Sequence, residues 1–200
     1  MIDKNLFEFI KRKYGGFASW AIWADEFEKA KSNIDDLNVF DIHKNISLLN
    51  SLNNNIIMVG LNISRTFSEP FRNFHDPNPH ANDFKLRFAF RNTEFYGAYM
   101  TDFIKDFEMV DSSGVLKYLK TNGTLIEKST IIFREELLDL KAKDPIILAL
   151  GDTSFNLINQ NFKREEYSKL IKVKHYSNYI SKEKYREIVI NQIKLARSQE

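Results

Sequence analysis

Cysteine is absent from this chain of 200 residues. That excludes disulfides, iron–sulfur clusters and cysteine-based zinc sites, and it fits a reducing compartment. Long apolar runs are missing too. None approaches the roughly 18 residues of a membrane span, and the first residues, Met-Ile-Asp-Lys-Asn-Leu-Phe, lack the apolar stretch of a signal peptide. The expectation is a cytoplasmic protein that does not enter a membrane. Charge of one sign is not in excess: 29 basic against 27 acidic side chains leave a net charge of +2. Such a balance neither supports nor excludes nucleic-acid binding, because a local basic patch can sit on a near-neutral protein. There is no Gly-x-x-x-x-Gly-Lys loop and no Gly-x-Gly-x-x-Gly turn, which argues against an NTPase or a dinucleotide enzyme. Ser64 and Ser177 lack the Gly-x-Ser-x-Gly setting of a hydrolase nucleophile. Internal repeats and low-complexity segments are absent.

What is present is ordinary in bulk. Apolar residues make up 43% and charged residues 28%, as in a soluble globular chain with a core large enough to fold without staples. Phenylalanine and tyrosine are abundant, at 17 and 8. Most belong in a core, and a few can serve as stacking platforms. The length suits one domain, read as a helical N-terminal segment over 1–55 and an α/β core over 56–200.

Ile56 to Val59 is an unbroken apolar run, the mark of a strand buried on both faces of a parallel sheet. Gly60 follows, where the missing Cβ permits a sharp turn or close approach of a ligand. Asn62 and Ser64 lie just past the strand, on the side where open α/β sheets bind ligands. Alone, Gly60 and Asn62 read equally as turn formers. A second strand is expected over Tyr96–Ile104, delivering Thr101 and Asp102 near its end. A third runs from Pro145 to Gly151. A fourth, Leu170–His175, alternates and so belongs at an edge.

Helices fill the intervals. Leu6, Phe7, Ile10 and Tyr14 repeat at helical spacing up to Gly15-Gly16. Ser19 is placed to cap a second helix carrying Ile22, Trp23 and Phe27, and Asp41 a third with Ile42, Ile46, Leu49 and Leu52 inward. Further helices are expected over Asn82–Asn92 (Phe84, Leu86 and Phe88 inward), after Asp111, and over Leu125–Leu140. In the last of these Ile131, Ile132, Leu137 and Leu138 face in, and Glu135, Glu136 and Asp139 out. Asp152 or Thr153 is placed to cap the next helix, and Ser181 the last, with its stripe of Tyr185, Ile188, Val189, Ile193 and Ala196. Alternating strands and helices imply a three-layer αβα fold with a mainly parallel four-stranded sheet. In such a sheet Asn62, Asp102, Asp152 and His175 all sit at strand ends on one side.

This constellation resembles the uracil-DNA glycosylase superfamily over roughly residues 56–195. Gly60-Leu61-Asn62-Ile63-Ser64 is similar to the Gly-Ile-Asn-Pro-Gly motif of its mismatch-specific branch, without the proline. His175-Tyr176-Ser177 stands where the family has His-Pro-Ser, and Met100-Thr101-Asp102 where it has a strand ending in Thr-Asn or similar. Phe74, twelve residues after Asn62, matches the family's base-stacking aromatic.

The resemblance implies a DNA base glycosylase of DNA repair, with DNA or another nucleobase-containing ligand as partner, working as a monomer without cofactor or metal. It implies that Asn62 positions a water. An amide does not ionise and so cannot be a general base. It implies that His175 donates to the base oxygen on which charge develops. Gly60, Leu61, Phe74 and Asp102 would hold the base, and Ser64, Ser177, Tyr176 and Lys174 would contact DNA. The loop Tyr176–Ile180 takes the place of the family's wedging loop, flanked by Lys172, Lys174, Lys182 and Lys184. These lysines read equally as solvated side chains.

Asp102 departs from the pattern. An asparagine offers a donor and an acceptor to the O4 and N3–H edge of uracil, whereas an ionised aspartate only accepts. It suits two adjacent donors, such as guanine N1–H and N2–H₂, unless burial keeps it protonated. The base expected is therefore not plain uracil. Asp102 also reads as a helix cap, and Phe74 as a core anchor for the long 63–82 loop. His75, Asp76, His80 and Asp83 cluster in that loop. Metal ligation there lacks a fixed geometry, and lining the pocket is the other role open to His75 and Asp76. Two further readings stand beside the enzyme: a non-catalytic binder of nucleobases or nucleic acid, and an interaction module in which the strand-end polar residues are only caps.

Overall fold

The computed structural model describes residues 2–24 and 35–198. Among them the elements run α1 (Lys4–Tyr14), β1 (Ala18–Trp20), α2 (Leu48–Ser51), β2 (Asn53–Asn62), α3 (Phe84–Phe90), β3 (Ala98–Ile104), α4 (Ser112–Thr121), α5 (Gly123–Asp139), β4 (Ile146–Leu150), α6 (Asp152–Asn161), β5 (Lys169–Val173) and α7 (Lys182–Ser198). The sheet order is β1-β3-β2-β4-β5. β3, β2, β4 and β5 run parallel to one another, and β1 lies antiparallel on β3.

The sheet is thus five-stranded and mixed, not four-stranded. The added strand comes from the segment expected to be wholly helical. Ala18, Ser19 and Trp20 are all buried, and the Ser19 hydroxyl donates to the Phe71 carbonyl at 2.9 Å rather than capping a helix. Phe27 lies outside the described residues. The helix expected after Asp41 is also replaced. Asp41 accepts the His43 N–H at 2.9 Å, and Asn45 donates to the Val39 carbonyl at 3.0 Å. Such local side-chain bonds compete with a helical ladder, and Ile46 ends 89% exposed.

Side chains alternate along the strands and feed two cores, one on each face of the sheet. Ile57, Val59, Ile147 and Ala149 pack with residues of α1, α4, α5 and α6. Ile56, Met58, Leu148 and Leu150 pack with α3 and α7. This is a three-layer αβα arrangement. β5 occupies the edge, with Lys172 exposed. Ser181 caps α7, its hydroxyl accepting the Lys184 N–H at 3.1 Å, and the stripe through Tyr185, Val189 and Ile193 is buried as expected.

Two helices are rotated from their expected phase. In α3, Leu86, Ala89 and Phe90 are buried, while Phe84 and Phe88 are half-buried. In α5, Phe133, Leu137 and Glu136 face in, while Ile131 and Leu138 are 64% and 76% exposed. Glu136 is drawn inward by polar partners. Its carboxylate meets Lys105 Nζ at 2.5 Å and accepts from Tyr99 and Thr101 at 2.7 and 2.9 Å. Lys105 Nζ also lies 4.6 Å from the Phe17 ring centroid. A buried ion pair with every member hydrogen-bonded therefore sits beneath β3. No helix is long and apolar enough to cross a membrane among the described residues.

Candidate functional site

The carboxyl ends of the parallel strands open onto a cleft of about 540 Å³. Asn62, Phe74, Asp102 and His175 all line it. So do Leu61, Ser64, Tyr176 and Ser177. Gly60 and Lys174 do not. Gly60 lies beneath: a Cβ on it would fall 2.1 Å from Asp102 Oδ1 and 3.4 Å from the tip of the Phe74 ring. Its bare backbone therefore makes room for two lining side chains instead of touching a ligand. Lys174 uses its backbone N–H to reach Gln192 on α7 at 2.8 Å, and its side chain is not part of the wall.

Asn62 closes β2. Its Nδ2 donates to the carbonyls of Ile63, Phe107 and Met109 at 2.9, 3.3 and 2.8 Å. Three surrounding carbonyls fix the orientation of the amide, since only the NH₂ end can meet them. The side chain thus clamps the loop after β3 to the end of β2. Oδ1 is the amide atom left without a protein partner among the described residues, and it is an acceptor.

Asp102 pairs with Gly60 across the β2–β3 ladder. It is 3% exposed, and its Oδ2 accepts from Asn73 Nδ2 at 2.8 Å. Burial pushes its carboxyl up to about 7, against the opposing pull of the Asn73 bond and the Lys105 charge. Asp83, in the same wall, accepts the Asp76 N–H at 2.9 Å and is raised by burial to about 6.

Phe74 is carried by the 63–83 loop in a left-handed conformation, φ 64°, and Phe71 shares it at 67°. Such backbone costs about 1–3 kcal/mol per non-glycine residue and persists only where surroundings enforce it. Here Arg72, between the two, is buried and bonds Glu69 and Asp35, and Asn73 holds the Phe17 carbonyl. The loop is thereby built to place Phe74, whose ring meets Tyr176 edge-on at 6.5 Å.

His175 stands against Gly151, whose φ of 98° brings the start of α6 beside the ring. Burial lowers the imidazole to about 4, so the ring is neutral at pH 7. Nδ1 accepts the Ser177 N–H at 3.1 Å and lies 2.8 Å from the Ser177 hydroxyl, which can donate to it as well; a backbone donor aimed at Nδ1 assigns the single proton to Nε2. That N–H has no acceptor among the described residues, leaving one donor available at the cleft.

Sequence reasoning missed two contributors. Asn73 is one; only the fold brings it to Asp102. The other is the start of α6. Asp152 and Thr153 do not cap this helix: Gly151 is the cap residue, with no side-chain bond. The backbone N–H groups of Asp152, Thr153 and Ser154 meet no acceptor among the described residues. The Ser154 hydroxyl is fully buried, unpartnered and in the cleft wall. Four unused donors therefore gather at one end of the cleft.

The loop histidines and aspartates take separate roles. His75 is buried, with Nδ1 3.1 Å from Asp36 Oδ1 and Nε2 3.1 Å from the Trp20 carbonyl. Asp76 is paired with Arg65 at 3.3 Å, and Asp76, His80 and Asp83 line the cleft. No group of three His, Asp or Glu side chains suited to hold a metal ion occurs among the described residues. Of the expected DNA-facing lysines, Lys172 is paired with Asp152 and Lys184 with Glu187, each at 2.8 Å, while Lys182 lies over the Phe88 ring. Tyr179, at the tip of the loop after His175, is fully exposed. Comparison with protein-family models, curated proteins and solved structures returns no match.

Proposed function

We propose that the protein is a uracil-DNA glycosylase-like enzyme that hydrolyses the N-glycosidic bond of a base flipped out of DNA, with a preference other than plain uracil. One observation carries the reading: Asn62, Phe74, Asp102 and His175, from four separate parts of the chain, line a single open cleft. An interaction module would have that space filled by side chains.

Each group has a role the chemistry requires. Phe74 supplies an aromatic wall, and stacking is worth about 1–3 kcal/mol per base. Asp102 reads the edge of the base. The neutral His175 offers its Nε2–H to the base oxygen on which negative charge grows as the bond breaks. Asn62 Oδ1 holds the attacking water in place. The unused donors at the start of α6 suit a phosphate next to the flipped nucleotide, and the exposed Tyr179 suits a wedge between bases.

The test is a panel of single- and double-stranded oligonucleotides carrying uracil, hypoxanthine, xanthine, mismatched thymine or methylated bases, assayed for abasic sites. Release of a non-uracil base is expected, slowed about 10²–10³-fold by His175→Ala, the usual cost of one donor to a developing anion. Absence of release from every oligonucleotide refutes catalysis. Enzyme-like uracil release unchanged by Asp102→Asn refutes the specificity. One observation favours instead a non-catalytic binder that holds nucleic acid without stacking a flipped base: Phe74 is 3% exposed and its ring already meets Tyr176. Retention of an oligonucleotide without base release is the result that reading expects.

A further inference from the structure

Asn73 has no free hydrogen on its amide. Nδ2 donates one to the Phe17 carbonyl and the other to Asp102 Oδ2, both at 2.8 Å. An oxygen that already accepts a hydrogen bond is the less basic of the two in a carboxyl group, so a proton on Asp102 goes to Oδ1. Among the described residues that oxygen has no protein hydrogen-bond partner, and it is not fully occluded. It lies beside Gly60, in a residue that lines the cleft.

We propose that Asn73 is the positioning residue for base selection: by holding Oδ2 it leaves Oδ1 alone to read the base, as an O–H donor when Asp102 is protonated and as an acceptor when it is ionised. This rests on the nucleobase reading above. The acid form takes a base presenting a carbonyl oxygen or an unprotonated ring nitrogen at this point. The ionised form takes one presenting a ring or exocyclic N–H.

The charged and titratable groups facing Asp102 come from every element around it. Lys105, just past β3, favours the carboxylate. Glu136 on α5 and Asp83 before α3 favour the acid. Tyr176, from the loop after β5, stays neutral because burial, and then the charges of Asp83 and Asp102, raise it. The Asn73 bond itself favours the carboxylate, so losing it moves the change of form to higher pH. A residue that merely filled space would leave the pH profile where it was.

Deoxyuridine and deoxycytidine are the probes, because they differ at position 4 in presenting an oxygen or an amino group. Their affinities are measured by titration calorimetry between about pH 5.5 and about pH 8.5 on the wild type and on the Asn73→Leu, Asn73→Ser and Asp102→Asn proteins. Asn73→Ser is the smaller change, should the leucine variant not fold. In the wild type the ratio of the two affinities is expected to change by about tenfold or more across that range, the weight of one hydrogen bond to a charged group. The midpoint is expected at higher pH in the Asn73 variants, and the dependence is expected to vanish in Asp102→Asn. A flat ratio in the wild type, or a midpoint unmoved in folded Asn73 variants, overturns the inference and leaves the nucleobase reading standing. Failure of both nucleosides to bind at any pH overturns the two together.

Discussion

Asp102 and His175 depart from their ordinary pKa values in opposite directions, and burial is the main cause of both. Their effects on stability oppose each other accordingly. Between about 3.8 and about 7 the folded state holds a proton on Asp102 that the unfolded chain has released, so this residue's contribution falls as pH rises. Between about 4 and about 6.5 the unfolded chain protonates His175 and the folded state does not, so that contribution is fully present above 6.5 and lost as pH falls toward 4. Each amounts to at most about 1.4 kcal/mol per pH unit. Denaturant unfolding at a series of pH values separates them. Relative to the wild type, Asp102→Asn is expected to gain stability with rising pH across this window, and His175→Gln to lose it. Parallel pH profiles for the three proteins would show that neither group is buried as described.

At the scale of elements, α5 owes its position to Glu136 as much as to its leucines. Removing one member of a buried, hydrogen-bonded ion pair strands the other, at a cost of about 3–5 kcal/mol. Glu136→Ala is therefore expected to lower the unfolding free energy by that amount in urea, and Lys105→Met/Glu136→Leu to recover most of it. This pair also explains where the sequence misled. A charged residue at a core position reads as an outward one, so the apolar count rotated the helix toward Ile131 and Leu138, which are exposed. The continuous runs at Ile56–Val59 and Ile147–Leu150 were legible because strands buried on both faces need no polar residue. β1 was not: three residues carry no period, and its pairing with β3 lies about 80 positions away in sequence. The site was half legible for a related reason. Strand ends are predictable in a parallel sheet, so Asn62, Asp102 and His175 could be placed together. Asn73 and Ser154 act through bonds, made or missing, that only the folded chain creates.

For the whole molecule the decisive quantity is how little positive charge reaches the cleft. The net charge is +2, Asp76, Asp83, Asp102 and Asp152 line the walls, and Arg65 is the one lysine or arginine among the described residues that does so. Arg65 is paired with Asp76, Lys172 with Asp152 and Lys184 with Glu187. On the function proposed above, nucleic-acid binding would lean on Phe74, Tyr179, backbone donors at α6 and base contacts rather than on phosphate neutralisation. Each phosphate neutralised contributes about 0.7 to the slope of log affinity against log salt on a single strand and about 0.9 on a duplex. With Arg65 the one cation in the wall and Lys172 and Lys184 already paired, the slope is expected to be shallow, at about −1 to −3. Fluorescence anisotropy of a labelled oligonucleotide between about 50 and 200 mM salt measures it, over the range in which a basic-patch binder with 6–10 contacts loses about 10³–10⁵ in affinity. A steep slope of that kind would place the binding surface away from the cleft, on another face of the protein. A shallow slope that disappears together with binding in Tyr179→Ala and Phe74→Ala would place it at the strand ends.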